Sequence, residues 1–282
     1  MKTFWIRTAS ATVYAALFLG SIYSGQLLAN KTLGGIIFTA FLLFIACGCT
    51  FEFFRIVAKQ GATPCRPLGY IYSVLGVVAL SSIALFSSIQ TNTLFSVAMT
   101  LLPAAFGLAA IVQLFLHSEQ PFRDAAYTMV PMLYAAVPLG LMPMLHASHN
   151  VLVPLIIMVW VNDSAAYTGG SLVGGRKLWA RHSPGKTLSG ALIGVAVTVV
   201  LAIFMGPLFN DSLAWYHWVV LAVICSVIDT LGDLVESMLK RSVGLKDSGN
   251  IMPGHGGFLD RFDSLLIIIP FAFAYITLAS LL

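Results

Sequence analysis

The sequence predicts an all-α, polytopic integral membrane helix bundle of about nine transmembrane helices with a cytoplasmic N-terminus, and three observations carry that reading. Of 282 residues, 59% are hydrophobic and only 9% charged, at a mean hydropathy of +0.91, whereas a soluble domain carries roughly 25% charged residues. Disorder is excluded by the same figures, since it needs low hydrophobicity and high charge. Apolar runs of about 20 residues, the length that crosses a ~30 Å hydrocarbon core, recur between short polar joints. Lysine and arginine, finally, gather on alternate joints, as the positive-inside rule requires of a chain threaded through a bilayer.

In chain order the runs lie at about 9–28, 33–54, 68–90, 94–116, 125–147, 151–172, 187–208, 213–238 and 263–282. Helices are expected because backbone polar groups in lipid must be paired within the segment, and nothing alternates like a barrel strand. The first run follows Lys2 and Arg7, as a signal peptide would. It is long enough to span and is expected to remain as an uncleaved first helix. Nine crossings put Lys2, Arg7, Arg55, Lys59, Arg66, Arg123, Arg176, Lys177, Arg181, Lys186, Lys240, Arg241, Lys246 and Arg261 on one side, 14 of the 15 cations, with Lys31 the exception. That side is the cytoplasm. Trp5 and Trp179 then fall near the inner face and Trp215 and Trp218 near the outer one, as an aromatic belt would. Cys47, Cys49 and Cys225 sit in apolar runs and read as small core residues, with Cys65 alone in a polar joint; no disulfide framework or metal spacing is implied.

The chain divides into an N-terminal region, 1–150, of five helices and a C-terminal region, 151–282, of four, with cytoplasmic loops at 173–186 and 239–262. In the first region Glu52, Glu119, Arg123 and Asp124 read as interface charges. The second is different, because Asp163 ends the run Ile156–Val161 and one helix contains Asp229, Asp233 and Glu236. Carboxylates in membrane segments are costly and by default mark a site or a pathway. Asp229, Asp233, Glu236, Ser237 and Lys240 share one helical face by their spacing. Either the acids are protonated or bonded to hydroxyls in a polar stripe, or a divalent cation neutralises them, bound as hard cations are by one or two carboxylates plus substrate phosphates.

The loop after this helix, Lys240 to Asp263, carries Lys240, Arg241, Lys246, Asp247, His255, Asp260, Arg261, Asp263 and five glycines. Glycines let backbone N–H groups approach a phosphate, and lysine and arginine neutralise it. Gly254-His255-Gly256-Gly257 alone would fit a flexible turn as well; flanked by Lys-Arg, Lys-Asp and Asp-Arg-x-Asp it is hard to explain as a linker. A second cationic loop contains Gly174-Gly175-Arg176-Lys177 and Arg181-His182-Ser183-Pro184-Gly185-Lys186-Thr187. It lacks the leading glycine and strand of a P-loop. Ser183 and Lys186 could contact phosphate, or the cations could serve topology alone.

These residues resemble the integral-membrane phosphatidate cytidylyltransferases, also called CDP-diacylglycerol synthases. The family signature is Ser-x2-Lys-Arg, four residues, Lys-Asp-x-Gly, then Pro-x-His-Gly-Gly-x2-Asp-Arg-x-Asp, and the chain matches it from Ser237 through Asp263. Gly232-Asp233-Leu234-Val235-Glu236-Ser237 and Asn162-Asp163-Ser164-Ala165-Ala166-Tyr167 look like the family's upstream motifs. The likeness covers about 160–265. It departs at Ser183-Pro184-Gly185-Lys186-Thr187-Leu188-Ser189-Gly190, where Ser189 stands for the family's acid.

What the resemblance implies is the reaction of CTP with phosphatidate to give CDP-diacylglycerol and pyrophosphate. It implies magnesium, alone or with a second cation, and a homodimer; membrane lipid, but no nucleic acid, is an expected partner. Asp233 and Asp260 would hold the metal, with Asp229, Glu236, Asp263 and Asp163 as further acids. Lys186, Lys240, Arg241, Lys246 and Arg261 would neutralise the triphosphate and the lipid phosphate, and His255 would donate to the leaving pyrophosphate. Ser183, Thr187, Ser237, Asp247, Gly256 and Gly257 complete the expected substrate contacts. The expected location is a bacterial-type inner (plasma) membrane with the active site on the cytoplasmic face. A CDP-alcohol phosphotransferase would share Asp229-x3-Asp233, but the rest of its metal motif is missing, with Cys225 where it has glycine. A transporter coupled through the same acids would leave the loop chemistry unused.

Overall fold

The computed structural model describes residues 2–85, 91–116, 118–179, 183–245, 247–249, 251 and 256–280. Within the described residues each expected apolar run falls largely on helix. The elements are α1 (Lys2–Ile22), α2 (Ser24–Leu27), α3 (Lys31–Ala58), α4 (Arg66–Leu85), α5 (Thr91–Gln113), α6 (Pro121–Pro131), a π-helical turn (Met132–Ala136), α7 (Val137–His149), α8 (Leu152–Val173), β1 (Lys177–Trp179), β2 (Ser183–Thr187), α9 (Leu188–Phe209), α10 (Trp215–Arg241) and α11 (Leu259–Ala279). Among the described residues, seven helical stretches are long and apolar enough to cross a membrane: Lys31–Ala58, Arg66–Leu85, Pro121–Ala147, Leu152–Val173, Leu188–Phe209, Trp215–Arg241 and Leu259–Ala279. Shorter apolar stretches, Ser10–Ile22 and Leu101–Gln113, lie in α1 and α5. The protein is an all-α polytopic membrane protein.

Local chemistry sets several boundaries. Asn30 caps α3, its side chain accepting from the Leu33 N–H at 3.0 Å, and Pro121 opens α6, where its missing N–H costs nothing. Pro131 immediately precedes the π-helical turn, at a point where its missing N–H interrupts the helical hydrogen-bond ladder. The 173–186 segment, expected as loop, holds a two-stranded antiparallel hairpin pairing Lys177 with Thr187 and Trp179 with Ser183.

The chain forms two compact units: Met1–Met144 with Asp247–Arg261, and Leu145–Lys246 with Phe262–Leu282. In the first, Tyr72, Ala109, Ala125, Met129 and Met132 form a buried cluster. Asp124, expected as an interface charge, is fully buried there. Its Oδ2 accepts from the Thr63 N–H at 3.0 Å, the Thr63 hydroxyl at 2.8 Å and the Ser118 hydroxyl at 2.6 Å, while Arg123 Nε donates to Oδ1 at 3.0 Å. The carboxylate thus ties two connections together, which is how a buried acid is tolerated.

In the second unit α9 is built inside out relative to a soluble helix. Its buried face is Gly190, Gly194, Thr198, Ala202 and Gly206 at intervals of four, while Leu192, Phe204 and Leu208 are exposed. Small residues on a helix–helix seam let backbones approach where lipid removes the hydrophobic drive for association. A Cβ on Gly190 would stand 2.5 Å from the Ala166 carbonyl of α8. At the other end Gly206 lies against the ring of Trp218. Trp218, expected in an interfacial belt, is instead fully buried, and Trp215 is the exposed one.

Candidate active site

The second unit gathers most of the expected acids. Asp229, Asp233 and Glu236 follow one another on α10 at i, i+4 and i+7, so they rise along one face. Asp229 and Glu236 are buried and Asp233 is half-buried. Each finds a partner from a neighbouring turn or element. Asn162 of α8 donates through Nδ2 to Asp229 Oδ2 at 2.6 Å, and the Ser264 hydroxyl of α11 donates to the Asp229 carbonyl at 3.2 Å. Lys186, the penultimate residue of β2, forms an ion pair with Asp233 and reaches the Thr230 carbonyl at 3.5 Å. Lys240 forms an ion pair with Glu236 one turn away.

These two lysines do not balance the acids. The carboxyl groups of Asp233 and Asp263 lie within hydrogen-bonding reach of each other, as do those of Asp163 and Asp229. Asp229 Oδ1 is buried and accepts no hydrogen bond. A carboxylate placed against a carboxylate needs a proton or a cation between them, and an orphaned buried oxygen costs about 1–3 kcal/mol. Among the described residues, no group of three or more His, Cys, Asp and Glu side chains is arranged to hold a metal. The donor set nonetheless fits a hard divalent cation, which takes one or two carboxylates and completes its shell with substrate phosphates and water.

A cavity of about 560 Å³ opens beside these groups, lined by Asp163, Tyr167, Ser183, Lys186, Thr187 and Asp233 among others. Thr187 has a structural task as well: it is the N-cap of α9, with its hydroxyl accepting from the Gly190 N–H at 3.1 Å. Ser189, which stands where the family has an acid, donates to the Gly174 carbonyl and so ties the hairpin's entry to α9. Ser237 is half-buried on α10, and Arg241 is exposed, its Nη1 donating to the Leu245 carbonyl at 2.6 Å. Asp247 and Arg261 are exposed. Lys246 and His255 lie outside the described residues, as do Arg181, His182, Pro253 and Gly254.

Asp260 belongs to the first unit, in a second polar cluster. Its Oδ2 accepts from the Ser248 N–H, the Ser248 hydroxyl and the Gly257 N–H, each at 2.8 Å. Gly256 has φ +81°, which side-chain-bearing residues rarely adopt. Sequence reasoning missed the residue that completes this cluster. Glu52 of α3 is 1% exposed; its Oε1 accepts from the Phe258 N–H at 2.9 Å, and its Oε2 from the Leu259 N–H at 2.9 Å and the Ser248 hydroxyl at 2.8 Å. The signal was present: Glu52 shares a helical face with Ile45, Cys49 and Ile56, all buried, so it is an acid on the apolar side of its helix rather than a charge at an interface.

Known proteins fit this picture. The chain is 44% identical over 124 residues to the phosphatidate cytidylyltransferase of Bacillus subtilis (strain 168), covering 44% of this chain and 46% of that protein. It is 37% identical over 153 residues to the phosphatidate cytidylyltransferase of Staphylococcus saprophyticus and 39% identical over 155 residues to that of Staphylococcus aureus (strain COL), covering 53% of this chain and 58% of the relative in each case. The aligned segments thus span about half the length of these curated relatives. A model of the cytidylyltransferase family matches residues 5–279, nearly the whole length, and on that match the chain belongs to the cytidylyltransferase family.

Proposed function

We propose that the protein transfers the cytidylyl group of CTP to phosphatidate, giving CDP-diacylglycerol and pyrophosphate. The observation that carries this reading is the acid stripe of α10, capped by Lys186 and Lys240 and opening on a cavity, in a family member whose helices can cross a membrane. One substrate is a lipid and the other a water-soluble polyanion, so a site of this kind must meet both phases.

A phosphatidate oxygen forms a bond to the α-phosphorus of CTP while the bond to the β-phosphate oxygen breaks, and the electron pair leaves with pyrophosphate. The attacking phosphate is already ionised near neutral pH, so it needs little general-base help. The protein's contribution is then in-line positioning and charge neutralisation. Lys186 and Lys240 are held by Asp233 and Glu236 and would turn to the phosphates, with Arg241, Lys246 and Arg261 as further cations. Ser183, Ser237 and Asp247 would orient the substrates, and His255 would donate to the pyrophosphate. Magnesium, when bound, supplies neutralisation of the triphosphate. The acids that would hold metal are, in the second unit, Asp233 with Asp263, Asp229, Glu236 and Asp163 as further acids and, in the first, Asp260.

The same reading has nine crossings, a cytoplasmic N-terminus and a cytoplasmic active site in a bacterial-type inner membrane, supported by the one-sided distribution of lysine and arginine. It has the chain as a homodimer on family resemblance. Purified protein in detergent, given magnesium, CTP and phosphatidate, is expected to release pyrophosphate. Absence of release across several acyl-chain lengths would overturn the reading.

A further inference from the structure

Glu52 is a carboxylate buried inside a helix that can cross a membrane, where an acid without compensation costs several kcal/mol. Three donors compensate it, and all belong to the segment that carries Asp260. Two are the N–H groups of Phe258 and Leu259, backbone donors that the start of a helix leaves without intrahelical partners. A carboxylate there is favoured by the helix dipole as well. The third is the Ser248 hydroxyl, which lies 2.8 Å from Glu52 Oε2 and 2.8 Å from Asp260 Oδ2. Serine has one hydroxyl hydrogen, so it serves the two acids in alternation and couples their positions.

The glycines around the carboxylate point the same way. A Cβ on Gly257 or Gly249 would collide with Glu52, so these positions are kept bare to admit the acid. The two ends of the loop therefore close on Glu52 from either side.

We propose that Glu52 is a positioning residue for cytidylyl transfer, acting from α3 to hold the Gly257–Leu259 turn and, through Ser248, the Asp260 carboxylate in working conformation. The inference rests on the function proposed above. Glu52 touches no reacting atom; its effect is relayed by the turn it holds.

Glu52→Gln keeps the size but sets an amide N–H donor against groups that themselves donate, leaving at least one of them without an acceptor. Glu52→Asp keeps the charge but falls one methylene short. Ser248→Ala removes only the relay. Steady-state kinetics of the purified full-length chain should show kcat lowered about 100-fold in Glu52→Gln and Glu52→Asp, the cost of a misplacement near 1 Å, and about 10-fold in Ser248→Ala. KM for CTP should move less than about threefold, and the loss of kcat should exceed what any loss of thermal stability accounts for. Wild-type kcat in all three, or losses in kcat that track losses in thermal stability, would overturn the proposal. Should the unmodified protein release no pyrophosphate, the functional reading has failed, and hydrogen exchange still decides this one. Faster exchange of the Phe258 and Leu259 amides in Glu52→Gln, by tenfold or more, supports the holding role, and unchanged exchange refutes it. If Glu52→Gln does not fold, Ser248→Ala carries the same kinetic and exchange tests.

Discussion

Lys186 on β2 and Asp233 on α10 form an ion pair at the wall of the cavity, the lysine's side chain 27% and the acid's 38% accessible. In substrate-free protein the pair holds a cation that a phosphate could claim and an acid that a metal could claim. Lys186→Met should lower kcat/KM about 100-fold, the usual consequence of losing one charge-stabilising donor, and Asp233→Asn should remove turnover. Because each side chain conditions the other, the double variant should be no worse than Asp233→Asn alone, and steady-state kinetics on the three variants checks this.

The Lys240–Glu236 pair differs in being buried, at 12% and 1% side-chain accessibility. Removing one member of a buried pair takes from the other the charge that compensates its burial. Lys240→Met should therefore destabilise the protein by about 3 kcal/mol. Glu236→Gln with Lys240→Met should recover most of that stability without recovering activity. Thermal unfolding in detergent, read beside turnover, separates the two effects.

Helix seams give a purely structural test. A Cβ on Gly194 would stand 2.7 Å from Asn162 Oδ1, and Asn162 is the residue that holds Asp229. Gly194→Ala should cost about 1–3 kcal/mol by overpacking and also depress activity through Asp229. Thr198→Ala, lower on the same buried face and away from Asn162, should leave turnover intact; the comparison is made by unfolding and activity together.

Metal removal addresses the facing acids. Chelation should abolish turnover and magnesium should restore it. Asp263→Asn removes one of the acids beside Asp233 and should raise the magnesium needed for half-maximal rate by about tenfold, measured by titrating magnesium at fixed CTP.

Much of this was legible in the residues, and what was not has identifiable causes. Apolar run length and the spacing of Asp229, Asp233 and Glu236 forecast helices and a shared face, because both depend only on local periodicity. The hairpin pairing 177–179 with 183–187 was not forecast: strand pairing over so few residues leaves no periodic trace. Trp218 was assigned to an interface because tryptophan favours interfaces, but the bare surface of Gly206 offers it a fully buried seat. Glu52 and Asp124 read from the sequence as interface charges because their partners, Ser248 with Phe258 and Thr63 with Ser118, are brought together only by tertiary folding. The glycines at 256 and 257 are read from the sequence as room for phosphate oxygens. The approach on view is that of the protein's own carboxylates, Glu52 and Asp260.

Whether the acids of α10 with Lys186 serve cytidylyl transfer to a lipid phosphate is decided by one measurement. It is the formation of CDP-diacylglycerol from labelled CTP and phosphatidate by protein reconstituted in lipid vesicles, unmodified and as Asp233→Asn. Labelled lipid and equimolar pyrophosphate are expected from the unmodified protein and none from folded Asp233→Asn. No labelled lipid from the unmodified protein, or equal yields from both, would contradict it.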